Sequence, residues 1–255
     1  MGIYAVLEKR NKNIKCSRFE EGIVSYNNKF NEQGNVHYTK RIDYALKLRD
    51  RLGKQNLINN CYHFYCFFPK YYKGTYQAIC IPEIKDDDII RNQLAQIFEV
   101  TGNDYISEKY IFFTSVYDFE GGDPIGEFQV VKRVAEIVGN ENLIVKTHPR
   151  DIRTVYQKNN IKVAKASSVP WEALQLRFGY QDKVLLTVTS GAIISTNLMV
   201  SIPIKSFFLF DECNINVNPA AVNTVETLRK LMHDSELREK MKTIHNAKSI
   251  EEILE

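Results

Sequence analysis

From Lys109 to the C-terminus, short apolar runs alternate with amphipathic stretches, and the connections between them are brief. The apolar runs predict buried strands and the amphipathic stretches predict helices. Alternation of this kind is typical of a parallel β-sheet with helices on both faces. We therefore predict a Rossmann-like domain over residues 106–255, although the Gly-x-Gly-x-x-Gly fingerprint of dinucleotide-binding domains is absent.

The sequence also predicts where these elements begin and end. Strands are predicted over 110–115, 143–147, 161–164, 183–189 and 204–209, and helices over 124–138, 151–157, 171–178, 191–199, 220–232 and 235–255. Residues 1–105 are less regular, with aromatic-rich strands predicted over 61–69 and 76–82. The predicted fold is thus α/β throughout, with a smaller first domain over residues 1–105.

Composition excludes some classes of function. Hydrophobic residues at 44% and charged residues at 25% are ordinary for a globular protein, and a net charge of +3 is too small to indicate nucleic acid. The five cysteines form no Cys-x-x-Cys pair, which favours a reducing compartment and offers no metal framework. With no apolar run of about 18 residues to span a membrane, we predict a cytoplasmic protein.

A basic segment from Lys40 to Lys54 lies within a predicted helix over 37–53. Most such helices simply present a solvated charged face. The alternative is contact with anionic lipid headgroups, which would place the protein peripherally on the inner membrane face. Basic and aromatic residues are not interleaved there, so the helix does not indicate nucleic-acid binding.

Polar residues collect where the predicted strands end. Lys146, His148, Pro149 and Arg150 follow one strand, and the proline prevents that strand from continuing. Ligands bind at the carboxyl ends of strands in open α/β sheets. Thr189-Ser190 follows another strand and opens a helix, where backbone N–H groups and the helix dipole favour an anion. These residues predict a pocket for a phosphorylated, nucleotide-linked ligand.

Acidic residues provide further candidates. Glu172 opens a helix, where a carboxylate can accept hydrogen bonds from ribose hydroxyls. Glu20-Glu21-Gly22 reads as a strand-to-loop corner, and a solvated acidic turn is its simpler interpretation. The run Asp86-Asp87-Asp88 precedes a helix, so capping explains it and we predict no metal site.

Three segments together resemble the nucleotide-binding half of bacterial sialyltransferases. They are Lys146-Thr147-His148-Pro149-Arg150, Val169-Pro170-Trp171-Glu172-Ala173-Leu174 and Thr187-Val188-Thr189-Ser190, and Glu20-Glu21-Gly22 is similar to the acidic motif of the same enzymes. These are GT-B glycosyltransferases of the lipooligosaccharide and capsular polysialic acid kind, including glycosyltransferase family 52. The resemblance covers most of the chain. Because the acidic motif lies close to Met1, the first domain is expected to be a shortened one.

The resemblance implies a donor, a mechanism and roles for residues. It implies an inverting sialyltransferase that uses CMP-sialic acid and a surface glycan acceptor, lipooligosaccharide or capsule, without metal or cofactor. The nucleotide phosphate would be held by Lys146, His148, Pro149, Arg150, Thr189 and Ser190, and the ribose by Glu172. His148 would also stabilise or protonate the leaving phosphate. Glu20 or Glu21 would be the general base, with Asp118 and Glu120 as rivals and Thr114 as a further ligand contact.

Other functions remain open at this point. A transferase of the UDP-sugar or CDP-glycerol type is the nearest rival on the same scaffold. A non-catalytic subunit that binds CMP without turnover belongs to a different class and is favoured by the short first domain. A homodimer would cover an open sheet edge.

Overall fold

The computed structural model describes residues 10–11, 15–20, 22–26, 44, 48, 51–52, 61–74, 76–84, 88–115, 124–149, 151, 153–165, 168–199, 203–213 and 219–254. The chain forms two compact units, residues 1–82 and 83–255. The functional division into residues 1–105 and 106–255 stays a prediction. Within the described ranges, no helix is both long enough and apolar enough to cross a bilayer.

The first unit contains a three-stranded parallel sheet in the order β1-β2-β3. Its strands are β1 (Cys16–Phe19), β2 (Cys61–Cys66) and β3 (Gln77–Cys80). Strand β2 ends earlier than predicted because Pro69 starts a 3₁₀ turn, Pro69–Tyr71, and cannot continue the ladder. A second 3₁₀ turn, Ile23–Tyr26, follows the acidic motif.

The second unit contains a six-stranded sheet. The sheet is parallel, as the alternation of strands and helices predicted, and five of its six strands were predicted. Its strands are β4 (Tyr110–Phe113), β5 (Leu143–Lys146), β6 (Lys162–Val163), β7 (Val184–Thr187), β8 (Lys205–Phe208) and β9 (Ile244–Asn246). The order across the sheet is β6-β5-β4-β7-β8-β9, which is the doubly wound order of Rossmann folds. Strands β4, β5 and β7 are buried along their whole length, as parallel strands covered on both faces must be.

Helices connect and cover these strands. They are α1 (Asp88–Ile97), α2 (Pro124–Val138), α3 (Val155–Lys158), α4 (Trp171–Phe178), α5 (Ala192–Met199), α6 (Pro219–Met232) and α7 (Arg238–Met241). Helices α2 and α4 have the predicted boundaries. Proline at the first position starts α2, and Gly139, with a φ of 86°, follows its last residue in the left-handed conformation that ends many helices.

Two predicted helices are wrong. The helix predicted over 151–157 is confined to Val155–Lys158, because the side chain of Asp151 is bound to Arg153 ahead of it. The helix predicted over 235–255 is instead α7, strand β9 and a 3₁₀ turn, Ile250–Leu254. The chain leaves the helical path there because β9 pairs with β8, which places Ile244, Ala247, Ile250 and Ile253 in the core.

From this C-terminal packing we predict how two substitutions change the free energy of unfolding. Ile250 has no exposed surface, whereas Leu254 in the same turn is 57% exposed. We expect Ile250→Ala to lower the free energy of unfolding by about 2–4 kcal/mol, through lost burial and the cavity left behind. Leu254→Ala, the matched control, should change it by less than about 0.5 kcal/mol. Urea unfolding followed by the fluorescence of Trp171, the single tryptophan, measures both, and equal effects would contradict the packing of this turn.

Candidate functional site

The strand order of the larger sheet reverses at β4, which pairs with β5 on one side and β7 on the other. A crevice opens at such a switch point, beyond the carboxyl ends of the strands, and ligands bind there in α/β sheets. Ser115 follows β4 and Thr189 follows β7, and their hydroxyl oxygens lie 3.0 Å apart in a hydrogen bond. Two hydroxyl groups therefore meet where a doubly wound sheet binds its ligand.

The turn that carries His148 is fastened to the neighbouring strand end. The His148 backbone N–H donates to Thr114 Oγ1 over 3.0 Å, and the His148 carbonyl accepts the Asp151 N–H over 2.8 Å. The His148 side chain is half-buried and Pro149 is exposed. Thr114, which follows β4, is therefore brought to the His-Pro turn. Arg150, Asp118 and Glu120 lie outside the described residues.

Lys146 ends β5 and is only 5% exposed. Its ammonium donates a hydrogen bond of 2.8 Å to the Val169 carbonyl, which holds the segment leading into α4. Burial lowers the pKa of Lys146 to about 8, while the charge of Glu172 acts in the opposite direction. An anion bound beside the ammonium would favour its charged form and raise this pKa.

Glu172 lies in the first turn of α4 and links two helix starts. Its Oε1 accepts a hydrogen bond of 2.8 Å from the Ser195 hydroxyl, which lies on α5. This contact orients the carboxylate that the sequence assigned to a ribose. Since the second oxygen of a carboxylate has acceptor capacity of its own, the geometry is compatible with that assignment.

Thr189 and Ser190 play different parts in the structure. The Ser190 N–H donates to Thr187 Oγ1 over 2.9 Å, and Ser190 Oγ accepts the N–H of Ala192, the first residue of α5, over 3.4 Å. Ser190 thus caps α5. Thr189 instead turns its hydroxyl toward Ser115 at the switch point.

The sequence did not predict a buried polar cluster that lies near the ends of β4 and β5. Glu127 on α2 has no exposed surface, and its carboxylate accepts hydrogen bonds from the Ser115 N–H and from Arg153. Burial raises the pKa of Glu127 to about 7, although Ser115 and Arg153 act in the opposite direction. Burial would also raise the pKa of Asp151, but its hydrogen bonds from Arg153 outweigh this and hold it below its usual value.

Nothing in the sequence around Glu127 distinguishes it from an ordinary carboxylate near the start of a helix. The Asp151-x-Arg153 spacing directly after the His-Pro turn was the only available signal. Ser115 and Ser195 were missed for a similar reason, because serine is common at strand ends and on helices.

The acidic motif of the first unit is built around Glu20. Its Oε2 accepts the Phe67 N–H over 2.9 Å and the hydroxyl of Tyr26, which in turn accepts the Phe68 N–H over 3.0 Å. Burial raises the pKa of Glu20, and the two hydrogen bonds oppose that shift. A carboxylate with a raised pKa is a stronger base than an exposed one.

The glycine of this motif has a backbone role. Gly22 has a φ of 77°, a left-handed conformation that favours glycine, and a side chain there would meet nothing within 4 Å. Conformation rather than space therefore explains the residue. Glu21 lies outside the described residues.

No three histidine, cysteine, aspartate or glutamate side chains converge as metal ligands among the described residues, which leave out Asp86 and Asp87. Whether the reaction needs a metal stays a prediction.

Comparison with known protein families shows what the chain is similar to. A model of the family described as alpha-2,8-polysialyltransferase (POLYST) matches residues 4–207, which is most of the chain. The matched span holds the acidic motif, the His-Pro turn, Glu172 and the Thr189-Ser190 pair. No curated protein matches the chain.

The buried carboxyl of Glu127 predicts how stability depends on pH. Its folded pKa of about 7 lies above the ordinary value of 4.5, so its contribution to stability is complete below pH 4.5 and is lost as the pH rises through 7. The charged or titratable groups that face it are Arg153, Asp151 and Tyr156. Wild type should therefore lose stability relative to Glu127→Gln between pH 4.5 and 7. Urea unfolding at several pH values measures this difference, and parallel curves for the two proteins would contradict it.

Proposed function

We infer the reaction from one premise: the chain belongs to the alpha-2,8-polysialyltransferase family, and it is therefore a glycosyltransferase of the sialyltransferase type. We propose that it transfers sialic acid from CMP-sialic acid to a surface glycan. The family description favours an acceptor of the polysialic acid type, as in a capsule, over lipooligosaccharide. The observation that carries the proposal is the meeting of Ser115 and Thr189 at the switch point of the sheet, beside the His-Pro turn.

The proposed phosphate site uses groups that favour an anion. The start of α5 offers backbone N–H groups and the positive end of the helix dipole. Lys146 offers a positive charge whose protonated form a bound phosphate would stabilise, and His148 lies on the turn after the same strand. Pro149 and Arg150 are proposed to contribute to the same phosphate site, and Glu172 is proposed to bind the ribose.

The departing nucleotide explains why these groups would accelerate the reaction. The acceptor hydroxyl attacks C2 of sialic acid as the bond from C2 to the phosphate oxygen breaks, and CMP leaves with the bonding electrons. Negative charge grows on the phosphate along this path, and fixed donors that face it stabilise the transition state. His148 could add a proton to the leaving phosphate, which general acids of this kind do at neutral pH.

We propose that the reaction inverts the anomeric centre, which the proposed donor and the family description support. Sialic acid is in the beta configuration in CMP-sialic acid, whereas the linkage that the family description names is alpha. One displacement with inversion connects the two. The acceptor proton then passes to a general base, for which we propose Glu20 or Glu21, with Asp118 and Glu120 as rivals.

Several finer assignments stay predictions. They are the GT-B arrangement, membership of glycosyltransferase family 52, independence from metal and cofactor, a homodimer, and a place on the inner membrane face. Most of the basic segment Lys40–Lys54 lies outside the described residues. Within it, the side chains of Tyr44, Leu48 and Leu52 are exposed at a spacing of four residues, which favours a surface-binding helix.

Nucleotide binding tests the proposed donor. We expect calorimetry to show that wild type binds CMP more tightly than UDP or GDP. His148→Ala and Thr189→Val should each weaken CMP binding roughly tenfold or more, because each removes a donor to a charged phosphate. Ser107→Ala is the matched control, since Ser107 is an exposed hydroxyl that precedes β4 at the opposite end of the strand.

Three results would point elsewhere. Preference for UDP or CDP would favour a transferase of the UDP-sugar or CDP-glycerol type. Binding of CMP without transfer to oligosialic acid would favour a non-catalytic subunit. Equal CMP affinity in all the variants would contradict the proposed phosphate site.

Glutamine substitutions distinguish the two candidate bases. If Glu20 is the base, Glu20→Gln should lower kcat roughly a hundredfold or more while CMP affinity and the melting temperature change little. If Glu20 only fastens Phe67 and Tyr26, Glu21→Gln should lower kcat instead. Tyr26→Phe removes one donor to Glu20 and serves as the control for a purely structural contact. Unchanged kcat in both glutamine variants would contradict the assignment of the base to this motif.

A further inference from the structure

A chain of hydrogen bonds connects the hydroxyl pair at the switch point to the His-Pro turn through the interior of the second unit. At its centre are Glu127, Arg153 and Asp151, which we call the brace. The outer members are Ser115 with Thr189 at one end and Thr114 with His148 at the other. Every link is a direct contact between described residues.

Glu127 forms the link to the switch point. Its Oε2 accepts the Ser115 N–H over 2.9 Å, and the Ser115 hydroxyl is bonded to Thr189 Oγ1. Its Oε1 accepts one N–H of Arg153 Nη2 over 3.0 Å and lies 3.4 Å from the Tyr156 hydroxyl. The carboxylate therefore fixes the backbone of Ser115, whose hydroxyl is bonded to Thr189.

Arg153 and Asp151 form the link to the His-Pro turn. The guanidinium donates to both oxygens of Asp151, from Nε over 2.8 Å and from Nη2 over 2.6 Å. Asp151 Oδ2 also accepts the Thr114 hydroxyl over 3.1 Å, and Thr114 Oγ1 accepts the His148 N–H. The planar fork of arginine fixes this geometry, which the single ammonium of lysine cannot reproduce.

Stability alone does not account for such an arrangement. The side chain of Glu127 is 0% exposed, that of Asp151 is 3% exposed and that of Arg153 is 17% exposed. Three ionisable groups are therefore largely desolvated. Well-packed apolar residues stabilise a core as well as a buried ion pair does, or better. What the brace adds is a fixed relation between the end of β4 and the turn that follows β5. Ser115 after β4 is bonded to Thr189, and the turn after β5 carries His148, and both of these partners belong to the proposed phosphate site.

We propose that Glu127, Arg153 and Asp151 are positioning residues, which hold Ser115 and the His148 turn at the spacing that the leaving phosphate requires. The inference rests on the proposed function. The brace contacts neither nucleotide nor acceptor in this proposal and acts only through Ser115 and Thr114. Its effect is preorganisation, because donors that are already in place need not be reoriented as charge develops.

The test uses three substitutions that keep size and alter the hydrogen bonding: Glu127→Gln, Asp151→Asn and Arg153→Lys. We expect each to lower kcat for transfer from CMP-sialic acid to oligosialic acid by roughly ten- to a hundredfold, because small displacements of reacting groups are costly. The KM for the donor should change less than kcat, because the donor's direct contacts are retained. Arg153→Lys changes the most exposed of the three side chains and keeps the test valid if the fully buried Glu127 does not tolerate change.

Hydrogen exchange supplies a second readout that does not depend on activity. The backbone amides of Ser115 and His148 both donate within the network. In each brace variant, peptides that contain these amides should exchange faster, while peptides from β8 should not. The matched control is Glu212→Gln, which removes the partner of Arg133, an exposed arginine on the same helix as Glu127.

The outcomes separate the two proposals. Brace variants that lower the melting temperature yet leave kcat unchanged, or that exchange the Ser115 and His148 amides at the wild-type rate, would overturn the positioning role. A loss of kcat in Glu212→Gln equal to that in Glu127→Gln would also overturn it. If wild type neither binds CMP nor transfers sialic acid, the proposed function fails, and amide exchange alone then decides whether the brace fixes the two strand ends.

Discussion

The parallel pairing of β4 with β5 on one side and β7 on the other is the constraint on which the site depends. Parallel pairing brings three carboxyl ends to one edge of the sheet, and the reversal of strand order at β4 leaves a crevice there. The residues that follow these ends can then meet although the chain separates them widely. Ser115 and Thr189 form a hydrogen bond across 74 positions of sequence.

The polar groups around this edge are costly, and the structure compensates for each of them locally. Thr114, Ser115, Lys146 and Glu127 are all nearly or fully buried in a sheet that is otherwise apolar. Without hydrogen-bond partners, any of these groups would destabilise the fold, because a buried polar group then loses its hydration without a compensating hydrogen bond. Each of them has a hydrogen-bond partner, and these contacts remove that penalty and also restrict movement. In this part of the chain, the geometry that satisfies the buried groups is the same geometry on which the proposed phosphate site depends.

In the first unit, the partly buried carboxylate of Glu20 is likewise satisfied by hydrogen bonds. Glu20 receives a backbone N–H and the Tyr26 hydroxyl, and Tyr26 is itself held by the Phe68 N–H. Burial raises the pKa of Glu20 while the donors limit that rise, so the carboxylate is both oriented and more basic than an exposed one. These are the properties of a general base, and equally of a structural anchor, which is why the proposed substitutions compare it with Glu21.

The sequence by itself determined the α/β class, the boundaries of α2 and α4, and the polar character of the strand ends, because these follow from local periodicity and from residues close in the chain. It also identified the sialyltransferase-like family from short motifs. It did not reveal the brace, and it placed a helix where β9 pairs with β8. Only the tertiary structure decided these, because whether Glu127 meets Arg153, or residues 244–246 extend a sheet, depends on partners that folding brings together from distant positions.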